Sequence, residues 1–417
     1  MWMEKMAGDY LLNASLIVMA MMVIYFLRRP RFTKSESWQA TLTPLSSIIG
    51  SGFLIMAPLL ASVVGPLTPF AVIAIVILAY TIGTVIRFNI QHVEPRMIEG
   101  SLCVMTRQIE VLGNVALCLA YMVAVAFYLS LLSSFLLNYL EIQNIAAERL
   151  LTSVVIAFIA IVGYIKGLGG LEKLESVSMT IQLAIVGALL LGLFIYGFNF
   201  VSSDVALELN YQEREWTTQL RIMAGALLVV QGFETSRFLG TKYDPEVRVN
   251  TMRRAQIISG VLYVLAVIAL LPVIQHLDLV HVKLANIVQV TGLVAVVLPV
   301  MLIAAAIMSQ FSAAVADTGG AGGLLYQNTN SRFSTELSYV VISIAAIILV
   351  WSTDLLHIIT LASQAFAIYY FLQTVLALNF CYKDCVPGKR MTIWMRLLFM
   401  MLAILLLAVV FFAIPAE

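Results

Sequence analysis

Long apolar stretches separated by short polar ones run along almost the whole chain. A helix that crosses a bilayer needs about 20 apolar residues. About twelve segments qualify: 10–27, 41–63, 67–88, 111–139, 149–166, 174–198, 218–239, 254–275, 290–317, 336–353, 356–380 and 392–414. Two of them are interrupted by glycine. The 41–63 segment carries Gly50-Ser51-Gly52-Phe53 between Pro44 and Pro58, and the 218–239 segment carries Gly232-Phe233-Glu234 with Gly225 ahead of it. A break in a lipid-buried helix frees N–H and C=O groups that hydrocarbon cannot satisfy, so it survives only against protein or a wet cavity. A matched pair of breaks points to a binding site near the bilayer midplane.

The interrupted segments lie five apart, so 41–200 and 217–381 read as two five-helix repeats. Five is odd, which inserts the halves in opposite senses. The expected fold is an all-α integral membrane protein of about 12 transmembrane helices, with a 5+5 inverted repeat and discontinuous first and sixth repeat helices. A leading helix and basic linker (1–40) and a C-terminal loop and helix (382–417) lie outside the repeat. Topology and the paired breaks carry this reading; the two halves share no convincing residue-level identity.

Charge orients the chain. With the N-terminus outside, about nineteen Lys and Arg fall in inner loops, among them Arg28, Arg29, Arg31, Arg96, Lys173, Arg237, Lys242 and Arg254. Outside fall Lys5, Arg149, Arg214, Arg221 and Lys283. This positive-inside bias supports the helix count and places both termini outside an inner or plasma membrane. The first apolar run follows Glu4 and Asp9 and precedes three arginines, the reverse of a signal peptide's charge order, so it reads as a retained helix.

Composition narrows the function. Only 11% of the 417 residues are charged, against about 25% in soluble domains, and mean hydropathy is +0.98. A net charge of +1 gives no case for nucleic-acid binding. Cys103, Cys118, Cys381 and Cys385 are too scattered for a disulfide framework and lack the neighbours of a metal site. The four histidines lie at segment ends, and no His-Glu-X-X-His or Gly-X-Ser-X-Gly motif occurs. An enzyme is not expected.

At its breaks the chain resembles the amino acid–polyamine–organocation (APC) superfamily of secondary transporters, as a divergent member. Ile49-Gly50-Ser51-Gly52-Phe53-Leu54 resembles that family's first break, and Val230-Gln231-Gly232-Phe233-Glu234 its second. Asp244-Pro245-Glu246-Val247-Arg248, Arg253-Arg254-Ala255 and, in part, Pro95, Gly100 and Gly113 are similar to later family features. The resemblance covers most of 41–380. It departs where proton-coupled members carry a Lys in Leu-Lys-Leu, since this chain reads Ile181-Gln182-Leu183, and where they carry Ser-Arg, since Ala316-Asp317-Thr318 stands there. Glutamine cannot titrate. The departures leave sodium, protons and exchange all open as the coupling mode.

The candidate site follows from the breaks. The half-helix after Gly52 would offer free N–H groups and a positive dipole end to an anionic group, and glycine lets a solute approach the backbone. Ser47, Gly50, Ser51, Gly52 and Phe53 are therefore expected to bind substrate; packing of small residues is the plainer alternative. Gln231, Gly232, Phe233 and Glu234 would line the other side, with Glu234 either functional or paired with Arg237 one turn on. Ser309 and Ser312 share a face. With carbonyls near 46–49 they would ligate sodium, as the resemblance implies, or bond back to their own helix. Gln182 belongs to the same coupling-ion set. Asp317 ligates an ion or caps the interface beside the Gly319–Gly323 exit. The resemblance also brings Tyr121 and Tyr128 toward the substrate, with Gln364, Tyr369 and Tyr370 similarly placed; a place in the interfacial belt or the core is the plainer alternative. Arg87 is expected to snorkel inward, and Glu172, Lys173 and Glu175 to form a solvated loop or surface pair. The function expected is transport of a small solute, an amino acid or related amine or carboxylate. An inorganic cation such as potassium, or a non-transporting sensor, is the alternative. Substrate and lipid are the expected partners, no cofactor is expected beyond a coupling ion, and the oligomeric state is not legible.

Overall fold

The computed structural model describes residues 2–52, 54–202, 206–226, 230–280, 286–329, 332, 334–383 and 392–414, and among these it contains no strand. Phe53, part of the expected substrate site, lies outside the described residues, as does the side chain of Ser51.

The chain opens with α1 (Trp2–Leu27) and a one-turn α2 (Pro30–Thr33). The first interrupted segment follows as α3 (Glu36–Gly52) and α4 (Met56–Val64). Next come α5 (Thr68–Phe88), a π turn over Asn89–Val93, α6 (Glu94–Ile98) and α7 (Val104–Tyr139). Helix α8 (Ile145–Ser202) is two helices joined at Gly167, whose φ of 59° and ψ of −157° leave helical space. Only glycine adopts such a conformation at little cost, so the separate segments expected at 149–166 and 174–198 meet there without a loop.

The second interrupted segment is α9 (Trp216–Ala226) and a 3₁₀ helix over Phe233–Thr241. It leads through Asp244 into α10 (Pro245–Ile274), then α11 (Asn286–Val290) and a 3₁₀ turn over Thr291–Leu293. The chain finishes with α12 (Leu298–Asn328), α13 (Thr335–Ser352), α14 (Leu355–Lys383) and α15 (Ile393–Phe412). Among the described residues, nine helices are long and apolar enough to cross a membrane. The twelve segments read from sequence also counted the two interrupted segments, neither half of which spans alone, and both halves of α8.

Helix α7 packs against α12 and α14, α12 against α8 and α3, and α10 against α3. Helix α3 and the 3₁₀ helix of the second interruption therefore sit among continuous helices, whereas α9 keeps Trp216 and Leu220 exposed. Their inner position is visible in α3, where Leu45, Ile48 and Ile49 are buried, whereas α1 presents Leu11, Met21, Met22 and Tyr25 outward. An apolar outward face suits lipid, which gives apolar side chains no reason to turn inward.

The stretch Gly319–Gly323 departs from its expected role as a helix exit, because it lies within α12. Gly320 and Gly322 serve packing. A Cβ at Gly320 would stand 3.0 Å from the Tyr121 ring of α7, and one at Gly322 would strike Tyr339 of α13. Tertiary contact here overrides glycine's poor helix propensity.

Candidate functional site

The two interruptions touch each other. Helix α3 ends at Gly52 and α4 begins at Met56, with Ile55 N–H donating to the Gly52 carbonyl. Gly232 adopts a φ of 115°, and a Cβ there would lie 2.7 Å from both the Cβ and the carbonyl carbon of Ser47. The left-handed turn therefore seats the second break directly on α3.

Two carboxylates flank this contact. Glu234 accepts from the Gly232 N–H at 3.0 Å and from the Tyr370 hydroxyl at 2.6 Å. Asp317, one oxygen of which accepts from Ser47 Oγ at 3.2 Å, lies on α12. Both residues are fully buried, and Glu234 Oε1 and Asp317 Oδ2 have no donor. The Tyr121 hydroxyl faces Glu234 but closes no hydrogen bond. A buried acceptor without a donor costs about 1–3 kcal/mol, and more when charged. The pair is relieved by a cation with N–H donors or by protons.

Aromatic rings close the site from one side. Phe233 stacks on Tyr370 with centroids 5.3 Å apart and planes 19° apart. Tyr121 meets Phe238 and Phe366 edge-on at 6.0 and 5.8 Å. Gln231 donates to the Tyr128 hydroxyl at 3.1 Å, while its own Oε1 has no donor.

The freed carbonyls of α3 are partly satisfied. Tyr263 donates to Ile48 O at 2.9 Å, and Ser309 Oγ sits 3.1 Å from Gly50 O and 3.4 Å from Ile49 O. Gln182 Nε2 donates to Ser309 Oγ at 3.0 Å, and Ser46 Oγ donates to Ser312 Oγ at 2.7 Å. Ser312 also bonds back to Ser309 O at 3.2 Å. Ser309, Ser312 and Gln182 thus gather at α3. Asp317, on the same helix as Ser309 and Ser312, accepts from Ser47, the residue after Ser46. Gly50 fits because a Cβ would stand 2.5 Å from Ala313 Cβ and 2.9 Å from Ser309 O. Gly52 is buried at the end of α3.

The alternative pairing of Glu234 with Arg237 is absent. Arg237 bonds Glu94 at 2.9 Å and Glu110 at 2.6 Å, and Arg248 reaches the other Glu94 oxygen at 2.8 Å. Gln373 donates to Glu110 at 3.2 Å, and Asn89 donates to Gln373 Oε1 at 2.8 Å. With its amide and phenol donors in place, Glu234 leaves Arg237 to this buried network, which ties α6, α7, α10 and α14 to the 3₁₀ helix. Nothing in the local pattern pointed to Glu94 or Glu110 as its partners.

Two further expectations change. Arg87 is 5% exposed and bonds Gln256 of α10 and Thr84 instead of reaching out of the helix bundle. Glu175 is buried and accepts from Thr43 of α3 at 3.5 Å, while Glu172 pairs with Lys242 at 3.2 Å. Tyr370 joins the site through Glu234, Tyr369 accepts from Arg237 of the buried network, and Gln364 is only half-buried.

A family profile described as "APC superfamily transporter" matches residues 30–413. An uncharacterized protein of Aquifex aeolicus (strain VF5) is 40% identical over 376 residues, covering 88% of this chain and 89% of that protein. In fold, the chain is similar to the Eremococcus coleocola manganese transporter crystallised with an aromatic bis-isothiourea substituted compound. The TM-score is 0.60 at 13% identity, covering 91% of this chain and 86% of that one. It is also similar to Mhp1, a nucleobase-cation-symport-1 family transporter in a closed conformation with bromovinylhydantoin bound. There the TM-score is 0.52 at 15% identity, covering 91% of each chain.

Proposed function

We propose that this chain, which belongs to the APC superfamily of transporters, is a secondary transporter that carries a small amine-bearing solute, an amino acid or a related amine. One observation carries the choice of solute. Glu234 and Asp317 flank the Ser47–Gly232 contact, fully buried, each with an oxygen that no protein donor satisfies. A protonated amine supplies both charge and N–H donors to such a pair. The backbone at Gly50 and Gly52 and the start of α4 would take a carboxylate if the solute has one. Phe233 and Tyr370 would cover it, and rocking of the two repeats about the interruptions would expose it to either side in turn.

An inorganic cation is the second reading. It is supported by the same two carboxylates and by the carbonyls of Ile48, Ile49 and Gly50, farther along the helix that carries Ser47, all oxygen ligands suited to a hard cation. Uptake of a labelled amino acid or amine into proteoliposomes separates the two. Competition by unlabelled amino acids and indifference to alkali or divalent cations is the expected result. Flux of a labelled cation that amino acids leave untouched would favour the second reading, and ligand binding without flux would favour a sensor.

A further inference from the structure

Glu175 stands apart from the solute site and has no assigned role. It lies on the second half of α8, is 5% exposed, and has one oxygen without a donor. It also lines a cavity of about 460 Å³, together with Arg28, Thr43, Lys173, Lys242 and Tyr243. Those basic residues mark the cavity as the inner vestibule by the positive-inside rule. At its rim, burial works against the Lys242 charge, but the Glu172 carboxylate outweighs it and holds the ammonium above its ordinary range. Lys242 is therefore engaged by Glu172 and leaves Glu175 to Thr43.

Helix α3 links this buried carboxylate to the solute site. Thr43 and Ser47 are four residues apart and share a face. Thr43 donates to Glu175 and Ser47 donates to Asp317. Beyond Ser47, the Gly232 contact leads to Glu234 and its Tyr370 partner. Glu234 and Glu175 both face Asp317. Tyr121 and Tyr128, from α7, are the other titratable groups facing Asp317. Tyr369 and Tyr370, from α14, complete the set around Tyr121 and Glu234. Glu175 is faced by Glu172 of its own helix and by Thr43.

We propose that Glu234, Asp317 and Glu175, bridged by the Ser47 and Thr43 hydroxyls of α3, form a proton path between the solute site and the inner vestibule. The spacing suits it. One helical turn is about 5.4 Å, and two hydrogen bonds of about 2.8 Å through one water cover that gap. Each step breaks an O–H bond on one carboxyl and forms one on the next. The donor becomes a carboxylate as the acceptor becomes a carboxyl, and the proton leaves Glu175 to water in the vestibule. No electrons change hands. The path supplies titratable groups where Gln182 supplies none. It rests on the transport reading only for its purpose, since the test uses no solute.

The test is infrared spectroscopy of the purified full-length protein on transfer from H2O to D2O, following the C=O band of protonated carboxyls. Wild-type protein is expected to show that band near neutral pH and to deuterate it rapidly. Glu175→Gln removes one carboxyl from the band and slows deuteration of the rest by about tenfold or more. Thr43→Val, which keeps the side-chain shape, slows it as well and serves if Glu175→Gln fails to fold. Thr180→Val, which removes a hydroxyl that lines the same cavity but bonds back to Ser176 of its own helix, leaves the rate unchanged. The proposal is overturned if wild type lacks the band, if it appears only after sodium or potassium is removed, or if both Glu175→Gln and Thr43→Val deuterate at the wild-type rate. Failure to find a transported amine would leave these results standing.

Discussion

Gly232 and Ser47 meet with no side chain between them: a Cβ on Gly232 would lie 2.7 Å from Ser47 Cβ. The φ of 115° at Gly232 lies where residues with a Cβ are strained. Gly232→Ala therefore adds backbone strain of about 1–3 kcal/mol to a steric overlap with α3. The expected outcome is a lower thermal unfolding midpoint and loss of solute uptake. Wild-type stability together with wild-type uptake would show that the two breaks are not held in contact.

Gly50 makes the corresponding approach to α12. Gly50→Ala places a methyl 2.5 Å from Ala313 Cβ, an overpacking expected to cost about 1–3 kcal/mol. Ala313→Gly makes room for it at a helix-propensity cost of about 1 kcal/mol. The double variant should unfold at a higher temperature than Gly50→Ala alone. The rescue stays partial, because the Ser309 carbonyl at 2.9 Å also crowds the added Cβ. Additive single effects would count against a close α3–α12 seam.

Arg237 and Arg248 together balance Glu94 and Glu110 within the bundle. Removing one member of a buried ion network leaves an uncompensated charge and costs about 3–5 kcal/mol. Arg237→Met should therefore destabilise far more than Arg237→Met combined with Glu110→Gln, which leaves Glu94 paired with Arg248. Thermal midpoints of the single and double variants check this, and an equal loss in both would refute the network.

A pH effect is expected at the loop before α14. The backbone N–H and ring of His357 on Asp354 hold its carboxyl below the ordinary carboxylate range. A depressed folded pKa contributes stability that is present above the unfolded value of about 3.9 and is lost as pH falls through the folded value. Asp354→Asn should lower the midpoint slightly near neutral pH and not at all in strong acid. A difference that persists in acid would point to packing instead of charge.

The sequence revealed those parts of this architecture that depend on local chemistry. Gly50, Gly52 and Gly232 announce interruptions because lipid tolerates no unsatisfied backbone elsewhere. Gly167 alone does not announce that α8 bends without a loop. Long-range partners are invisible to pattern: Arg237 finds Glu94 and Glu110 143 and 127 residues away. The nearer Glu234 read as its mate because spacing along one helix is all that a sequence supplies. Glu175 sits in a charged stretch, Glu172-Lys173-Leu174-Glu175, which looks solvated until Thr43 of another helix covers it. The glycines at 319–323 looked like a helix end, yet their absent side chains admit Tyr121 and Tyr339.

The central claim is that the buried carboxylates beside the two interruptions bind a transported amine. The most direct test is uptake of labelled amino acids and amines into proteoliposomes by wild type and by Glu234→Gln. Saturable uptake in wild type that is lost in the variant, with the variant still folded, is the predicted result. Undiminished uptake by Glu234→Gln, or a labelled alkali or divalent cation as the sole species moved, would contradict it.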